Sequence, residues 1–430
     1  MRVYIRTYGC KVNQVESEEL AARLCERGHE LVRDEALAQL YVINSCTVTG
    51  EADAKVRKGL RHAAALPGVE QVLVTGCSAA LHAEELAALS PKVHVLERGA
   101  LEAFDTCLRG PGSAIGASPT ASSPTAQAPI PQALPSLRHT RVPVKVQDGC
   151  ENFCVYCIVP YARGACRSTP LSRLVAQVAA LVEVGTREIV LTGINIGRYH
   201  DPETGADLPA LIRALRDETG IHRIRLSSIE PPDVCDELCT LLSDGILCEH
   251  LHIPLQSGSD AVLSAMGRRY TTAEFAAACK RVRALSPQAA IATDVIVGYP
   301  TETDADFEAT LRFCRDSGFS KIHVFRFSPR AGTPAAALGA LAPSVVAERA
   351  RRLRELSAEL ADQYATSQAG RTLEWVVERI DATTGLATLT SREHLSMRIS
   401  CAGRAQGELL LLPFDMMKSE EVPDPSVSEV

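Results

Sequence analysis

The sequence predicts an α/β protein with three folded parts: a small parallel α/β domain, a partial barrel of six βα units and a small antiparallel β-barrel. Two observations support this prediction. Short apolar strands alternate with amphipathic helices as far as about residue 365, and short strands joined by glycine-containing turns follow. A stretch rich in Pro, Ala, Ser and Thr, which cannot bury a core, separates the first part from the second. We therefore place the domains at residues 1–109, 138–365 and 366–415, with a linker at 110–137 and a disordered tail at 416–430.

Size and charge narrow the functional class. A chain of 430 residues is long enough for two or three domains with cores of their own. The net charge of −7 gives no overall field that would attract nucleic acid, so any RNA binding must depend on local basic patches. The N-terminus reads as a strand, and no apolar run approaches membrane-spanning length. We expect a cytoplasmic protein, in which 15 cysteines indicate metal or redox chemistry rather than disulfides.

In the first domain, a cysteine follows each of three predicted strands. These strands are Val3 to Thr7, Leu40 to Asn44 and Gln71 to Thr75, and the cysteines are Cys10, Cys46 and Cys77. The carboxyl ends of parallel strands meet at one edge of a sheet, so the sequence predicts a site with three thiols there. The helices that follow, Val15 to Glu26, Ala52 to Ala65 and His82 to Leu89, begin at the same edge. The alternative is that these cysteines pack as small apolar residues.

The central domain is predicted to be a partial barrel of parallel strands, whose functional site lies at the carboxyl ends of the strands. The candidate strands are Val142 to Gln147, Glu188 to Thr192, Arg223 to Ser227, His250 to Pro254, Ala290 to Val297 and Lys321 to Phe327. Helical stretches such as Leu171 to Val184 and Thr303 to Asp316 separate them. A further helix, Ser344 to Tyr364, carries Arg349, Arg351, Arg352 and Arg354. We expect these arginines on a solvated face with glutamates, and the alternative is a surface that contacts phosphate.

The first barrel strand leads directly into Cys150, Cys154 and Cys157. Three thiolates this close in sequence are unsuited to a disulfide framework, but they can converge on one metal cluster. A cubane [4Fe-4S] cluster needs a ligand on each iron, so three cysteines leave one iron open for chemistry. The alternatives are three buried structural cysteines or a zinc site, although the paired CxxC spacing of zinc sites is missing.

The CxxxCxxC spacing resembles the signature of the radical S-adenosylmethionine (SAM) enzymes, in which the open iron binds SAM. The resemblance implies that Tyr156 lies along the adenine of SAM. It also implies SAM contacts from the ends of the other barrel strands. The candidates are Gly193, Asn195, Ser228, Glu230, Gln256, Asp294 and Arg326. For each of these a loop or helix cap is an equal alternative.

The whole pattern resembles the methylthiotransferase family, which has an N-terminal three-cysteine domain, a radical SAM barrel and a C-terminal TRAM barrel. The segments GCKVNQVESE, INSCTVTGEADAKVRK and CIVPYARGACRS are most similar to the subgroup that modifies N6-threonylcarbamoyladenosine in tRNA. The subgroup acting on isopentenyladenosine usually has Gln-Met in place of Lys11-Val12. The predicted C-terminal strands, Thr372 to Ile380, Leu386 to Ser391, His394 to Ser400 and Glu408 to Leu412, are the least typical part.

The resemblance implies an enzyme with two [4Fe-4S] clusters, one on Cys10, Cys46 and Cys77 and the other on Cys150, Cys154 and Cys157. It implies that a radical made from SAM removes hydrogen from C2 of the adenine next to the tRNA anticodon, at position 37, and that a methylthio group replaces it. The implied partners are the tRNA anticodon stem-loop, an electron donor such as flavodoxin or ferredoxin and an unidentified sulfur donor. We expect a monomer. The alternatives are an isopentenyladenosine tRNA or a ribosomal protein aspartate as substrate, and a non-catalytic iron-sulfur or RNA-binding protein.

Overall fold

The computed structural model describes residues 1–96 and 140–416. Within them the chain forms two compact units, one of residues 1–96 with 161–163 and the other of residues 140–160 with 164–416. The predicted barrel and C-terminal domain therefore lie in the same unit. The predicted linker at 110–137 lies outside the described residues, as does the predicted tail from residue 417 onward.

The first unit is built on a parallel sheet, as the sequence predicts, but the sheet has five strands, and the two at its edges were not predicted. Its strands are β1 (Arg2–Thr7), β2 (Glu30–Leu31), β3 (Leu40–Ser45), β4 (Gln71–Gly76) and β5 (Val93–Val95), in the order β2-β1-β3-β4-β5. Its helices are α1 (Lys11–Glu26), α2 (Gly50–Ala65), α3 (Cys77–Leu81) and α4 (Ala83–Ala87). The third predicted helix, His82 to Leu89, corresponds to α4, and the short helix α3 before it was not predicted; His82 leaves the helical conformation between the two.

The order of these strands follows from burial. Every residue of β3 is buried, so this strand lies at the centre of the sheet with apolar side chains on both faces. Tyr41 and Ile43 join a cluster with Val56 and Leu60 of α2, and Leu40 and Val42 join a second cluster on the opposite face. Packing on both faces therefore fixes the carboxyl end of β3, from which the chain continues.

The second unit begins with six parallel strands in chain order, which confirms the predicted partial barrel. Two further strands form a short hairpin beside the first of them. The strands are β6 (Arg141–Lys145), β7 (Gln147–Asp148), β8 (Arg167–Ser168), β9 (Glu188–Thr192), β10 (Arg223–Leu226), β11 (His250–His252), β12 (Ala290–Val297) and β13 (Lys321–Arg326). Strands β6, β9 and β10 form one sheet and β11, β12 and β13 another. Single parallel bridges, Ile224 to Leu247 and Ser228 to His252, connect the two sheets.

Helices cover the outside of this barrel. After the short helix α5 (Val159–Arg163), which follows the loop of Cys150 to Cys157, the helices are α6 (Leu171–Glu183), α7 (Leu208–Thr219), α8 (Asp236–Ser243), α9 (Asp260–Ala265), α10 (Thr272–Leu285), α11 (Asp304–Ser317) and α12 (Pro343–Gln368). The last three residues of α5 cluster with the first unit. Both α10 and α11 begin with a capping box, at Thr271 and Thr303 respectively, which fixes where each helix starts. Among the described residues, no helix combines the length and the apolar composition needed to cross a membrane.

The C-terminal part of this unit is a four-stranded antiparallel sheet, which forms about half of a barrel. Its strands are β14 (Thr372–Asp381), β15 (Leu386–Ser391), β16 (Ser396–Ser400) and β17 (Leu409–Pro413), in the order β16-β15-β14-β17. A β-bulge between Val377 and Arg379 interrupts the pairing of β14 with β15. The core under the sheet contains Trp375 and Phe414, whose ring centroids lie 5.9 Å apart.

The prediction of a uniformly solvated arginine face on α12 is wrong for one residue. Arg351 and Arg352 are ion-paired on the surface as expected. Arg349 is instead buried, and its guanidinium lies 2.6 Å from Glu302 and 2.7 Å from Asp304. Arg349 holds the loop before α11, a contact between distant residues that the charge pattern of one helix does not indicate.

Candidate functional site

Three of the cysteines in the first unit, Cys10, Cys46 and Cys77, lie at one edge of its sheet, as predicted. Cys46 directly follows β3, Cys77 directly follows β4, and Cys10 is the N-cap of α1 just beyond β1. These strands are hydrogen-bonded neighbours, with Thr7 opposite Asn44 and Ser45 opposite Gly76. Because neighbouring strands are about 4.8 Å apart, all three thiols are brought to the same place.

A buried amide network holds this edge in shape. The Asn13 side chain donates to Oδ1 of Asn44 at 2.9 Å and to the carbonyl of Ser45 at 3.1 Å. Asn44 donates in return to the carbonyl of Asn13 and to Oγ of Ser17. The thiol of Cys10 donates to Oδ1 of Asn13 at 3.2 Å. The strand ends and the first turn of α1 are therefore fixed relative to each other.

Arg163, which belongs to the first unit, completes this site. Its side chain is 1% exposed. Its Nε donates to the sulfur of Cys77 at 3.2 Å, and its terminal nitrogens donate to Glu16 at 2.9 Å and to Oδ1 of Asn13 at 3.3 Å. A buried positive charge thus lies directly against one thiol.

The residues at this edge fit a metal cluster. Gly9 has a φ of +115°, and a Cβ there would lie 2.7 Å from Cβ of Cys46, so only glycine leaves the space beside that thiol. Burial raises the pKa of Cys46 to about 12, and the neighbouring thiols of Cys77 and Cys10 act in the same direction. Burial also raises the pKa of Cys77. Such thiols stay protonated at neutral pH unless a metal takes up the thiolate.

The second group, Cys150, Cys154 and Cys157, lies in the loop that follows β7, at the carboxyl end of the first barrel strand. The amide of Cys157 donates to the carbonyl of Cys154 at 2.9 Å, and the amide of Cys150 donates to the carbonyl of Gly164 at 3.1 Å. Gly149, with a φ of +77°, has no room for a side chain, because its Cβ would lie 2.0 Å from the carbonyl oxygen of Ala165.

Gln147 connects this loop to the end of the next barrel strand. Its side-chain nitrogen donates to the carbonyls of Asp148 and Gly149. Its side-chain oxygen accepts from the amides of Ile194 at 3.1 Å and Asn195 at 2.7 Å. The start of the cysteine loop and the end of β9 are therefore held together by one buried side chain.

Two predicted SAM contacts, Gly193 and Asn195, lie beside Cys150. A Cβ at Gly193 would lie 3.0 Å from the carbonyl of Gln147, so the backbones approach closely there. The Asn195 side chain is buried, and its Nδ2 lies 3.9 Å from the sulfur of Cys150. Its Oδ1 has no hydrogen-bond partner within residues 1–96 and 140–416. A buried acceptor without a donor is costly, and it fits a position where a ligand supplies the hydrogen.

Arg268 lies against Cys154. Its guanidinium donates to the sulfur of Cys154 at 3.2 Å and to the hydroxyl of Tyr270 at 3.1 Å, and it forms an ion pair with Glu230. Burial raises the pKa of Glu230, and Arg268 opposes that effect. These residues line a small cleft with a volume of about 20 Å³, which has room for one or two water molecules. The predicted SAM contact Glu230 is therefore connected to the cysteine loop through an arginine.

His252 at the end of β11 lies between Ser228, just beyond β10, and Asp294, within β12. The Ser228 hydroxyl lies 3.0 Å from Nδ1 of His252, and Nε2 of His252 lies 2.8 Å from Asp294. Burial would raise the pKa of Asp294, but His252 outweighs it and the pKa is lowered. His252, Asp294 and His323 together offer three possible metal-ligand atoms that lie within 4.8 Å of one another. The group is a polar centre inside the barrel.

The remaining predicted contacts lie in different surroundings. Tyr156 packs against the apolar cluster of Val262, Met266 and Tyr299. Gln256 has a φ of +67°, and its amide donates to the carbonyl of Asp294 at 2.8 Å, so its backbone closes the end of β12. Arg326 is exposed at the end of β13.

Sequence reasoning missed five residues that shape these sites: Arg163, Arg268, Gln147, His252 and His323. The alternation of HLH in β11 gave one signal, since it places His252 on the side of the barrel that faces inward. The two arginines had no such signal, because each acts on a cysteine more than eighty residues away in the chain.

Two family models match the chain: Radical SAM superfamily over residues 144–314 and Uncharacterized protein family UPF0004 over residues 2–97. The Threonylcarbamoyladenosine tRNA methylthiotransferase MtaB of Thermotoga maritima is 36% identical over 390 residues, which cover 87% of each chain. The Bacillus subtilis protein of the same name is 37% identical, and the match covers 87% of this chain and 84% of that relative. The chain belongs to the radical SAM methylthiotransferase family. It is therefore a transferase, and it uses iron-sulfur clusters and SAM.

Further comparisons place this membership in context. A tRNA-2-methylthio-N(6)-dimethylallyladenosine synthase of Cereibacter sphaeroides is 34% identical, and the match covers 95% of this chain and 94% of that one. Among solved structures, the radical S-adenosylmethionine methyltransferase TsrM of Kitasatospora setae, with cobalamin and a [4Fe-4S] cluster bound, matches with a TM-score of 0.56. That match covers 78% of this chain and 73% of that one at 14% identity, so it shows a shared fold.

Proposed function

We propose that this enzyme is a tRNA methylthiotransferase that converts N6-threonylcarbamoyladenosine at position 37, next to the anticodon, to its 2-methylthio derivative. The observation that carries the proposal is the presence of a three-cysteine site in each of two folded units, together with relatives at 36% and 37% identity that are named for this reaction. The motif GCKVN, with Lys11 and Val12 after the first cysteine, supports the same subgroup.

In this proposal, Cys10, Cys46 and Cys77 hold one [4Fe-4S] cluster, and Cys150, Cys154 and Cys157 hold the other. When bound, the two clusters and SAM supply the radical that removes hydrogen from C2 of the adenine and the methylthio group that replaces it. An unactivated carbon-hydrogen bond gives ordinary acid-base catalysis no group to work on, so radical chemistry is required.

The remaining residues bind and orient. Asn195 presents a buried amide oxygen beside Cys150, where it can accept a hydrogen bond from SAM. Gly193 lets the end of β9 pack closely against Gln147 and Ile196, which fixes the backbone that leads to Asn195. Tyr156 and its apolar neighbours exclude water from the cysteine loop. The Ser228, His252 and Asp294 group provides fixed polar atoms, two of them at the carboxyl ends of the third and fourth barrel strands and the third within the fifth strand.

Nucleoside mass spectrometry of tRNA tests the substrate. Cells lacking the gene should lose 2-methylthio-N6-threonylcarbamoyladenosine and accumulate the unthiolated nucleoside, and the intact gene should restore the product. Genes carrying Cys10→Ala or Cys150→Ala should not restore it. Cys25→Ala is the matched control, because Cys25 is an exposed cysteine near the end of α1, and it should restore the product fully. An unchanged nucleoside profile in the deletion strain would refute the proposal.

A second substrate, N6-dimethylallyladenosine tRNA, is favoured by the Cereibacter sphaeroides relative, which matches 95% of this chain. The same measurement separates the two, since loss of the methylthio form would then appear on the dimethylallyl nucleoside. A protein substrate would leave the tRNA nucleosides unchanged in the deletion strain and make one ribosomal protein lighter by roughly 46 Da. This is the mass added when a methylthio group replaces hydrogen. A tRNA substrate would also place the enzyme in the cytoplasm.

A further inference from the structure

Each three-cysteine site contains one buried arginine that touches a cysteine sulfur. In the first unit, Nε of Arg163 lies 3.2 Å from the sulfur of Cys77. In the second unit, a terminal nitrogen of Arg268 lies 3.2 Å from the sulfur of Cys154. The two side chains are 1% and 5% exposed. The same arrangement of a buried arginine against a thiol thus occurs once in each of the two units.

Each arginine is also held from behind by a glutamate. Arg163 forms hydrogen bonds with both carboxylate oxygens of Glu16, at 2.9 and 3.3 Å. Arg268 pairs with Glu230 and lies over the ring of Tyr270, with its central carbon 4.8 Å from the ring centroid. The glutamate occupies part of the guanidinium and fixes its plane, so that a remaining N–H points at sulfur.

A purely structural ion pair would not need the sulfur contact. The buried pair of Arg349 and Glu302 in the second unit provides the comparison: its arginine donates to Glu302 and Asp304, and no contact with a thiol is found among the described residues. Burying an arginine is costly even when it is paired. Two such arginines, each placed against a thiol that is a candidate cluster ligand, indicate that the arginines influence the properties of the clusters.

We propose that Arg163 and Arg268 are positioning residues, each of which raises the reduction potential of the cluster in its own unit by donating an N–H to one ligand sulfur. The proposal rests on the ligand assignment made above. Reduction adds one electron, supplied by the reductant, and so increases the negative charge of the cluster. A hydrogen bond to the ligand sulfur and a buried positive charge both stabilise that charge. Removing either arginine should therefore make its cluster harder to reduce.

The test is a reductive titration followed by electron paramagnetic resonance on full-length, anaerobically reconstituted protein. The cluster on Cys150, Cys154 and Cys157 is measured by itself in a Cys10→Ala background, which lacks a ligand of the other cluster. The cluster on Cys10, Cys46 and Cys77 is measured by itself in a Cys150→Ala background. In the first background, Arg268→Met should lower the fraction of reduced cluster at least threefold, at the potential that half-reduces the background protein. Arg268→Lys should recover part of the loss, because lysine keeps the charge and a donor. Arg163→Met should have the same effect in the second background.

Arg349→Met is the matched control, since it removes a buried arginine from a glutamate without touching a thiol. It should reduce stability in a thermal melt and leave both potentials unchanged. Equal potentials for Arg268→Met and its background would overturn the proposal, as would an equal shift in the Arg349→Met control. If Arg268→Met folds but fails to bind iron, the measurement is made on Arg268→Lys, where an unchanged potential again overturns it. No RNA enters the titration, so failure of the proposed tRNA substrate would leave these results intact.

Discussion

Replacing Glu188 by glutamine should destabilise the second unit. Glu188 is fully buried at the start of β9, 2.9 Å from Nε of Arg223 and 2.7 Å from Nε of Arg225. Arg225 also donates to the carbonyls of Ser391, the last residue of β15, and of Arg392, which follows it. Glu188→Gln keeps the volume of the side chain but leaves two buried guanidinium groups without their shared negative charge.

The magnitude follows from the pKa of the carboxyl group. Burial would raise the pKa of Glu188, but Arg225 and Arg223 outweigh it and lower the pKa from 4.5 to about 2. Each pKa unit corresponds to about 1.4 kcal/mol, which gives about 3 kcal/mol. Breaking a buried ion pair by removing one partner costs about 3–5 kcal/mol in measured cases. We therefore expect the free energy of unfolding to fall by about 3 kcal/mol at neutral pH.

The pH dependence has a definite sign. Because the folded pKa is lower than the unfolded pKa, the stabilisation is fully present above pH 4.5 and is lost as the pH falls through about 2. The difference in stability between the natural protein and Glu188→Gln should shrink across that window. Equilibrium urea unfolding can follow it through the fluorescence of Trp375, the single tryptophan of the chain, which is buried in the same unit.

Glu218→Gln is the control, because Glu218 is exposed near the end of α7. It should change the free energy of unfolding by no more than about 0.5 kcal/mol. A loss of less than about 1 kcal/mol for Glu188→Gln, or a loss that does not differ from that of the control, would refute the reasoning. Such a result would mean that water or backbone groups replace the carboxylate at little cost.

Three further predictions concern the cysteine sites. Gly9→Ala should lower the iron bound by reconstituted protein from roughly eight to roughly four atoms per chain, because a Cβ at this position would meet Cys46; Gly28→Ala, with a φ of +80° but open space around it, should retain the full iron count. Asn195→Ala should weaken SAM binding about tenfold in anaerobic calorimetry, since a lost buried hydrogen bond costs about 1–1.5 kcal/mol, and unchanged affinity would exclude its contact with SAM. Asp294→Asn should lower the rate of 5'-deoxyadenosine formation about tenfold, because His252 would lose its carboxylate partner; equal rates would show that this polar group does not contribute to SAM cleavage.

The sequence alone predicted the longer strands of both units and the position of the thiols, but not the order of the strands within the first sheet. Glu188–Thr192, Ala290–Val297 and Leu386–Ser391 have the predicted bounds, because each is an apolar run with a clear boundary. The strand-then-cysteine pattern was sufficient to bring Cys10, Cys46 and Cys77 together, since parallel strands share a carboxyl edge. These features depend on residues close together in the chain, and local patterns record them.

Tertiary structure alone decided which charged groups meet. Arg163 and Arg268 reach cysteines distant in sequence, Arg349 is buried although its helix is largely polar, and Glu230 contacts an arginine of a later loop. The residues next to a charged side chain in the sequence predict that it is solvated. It is buried only where another element of the fold places an opposite charge or a thiol beside it. That partner is chosen by the packing of the barrel and the sheet, so only the folded chain shows that each thiol site has a buried cation of its own.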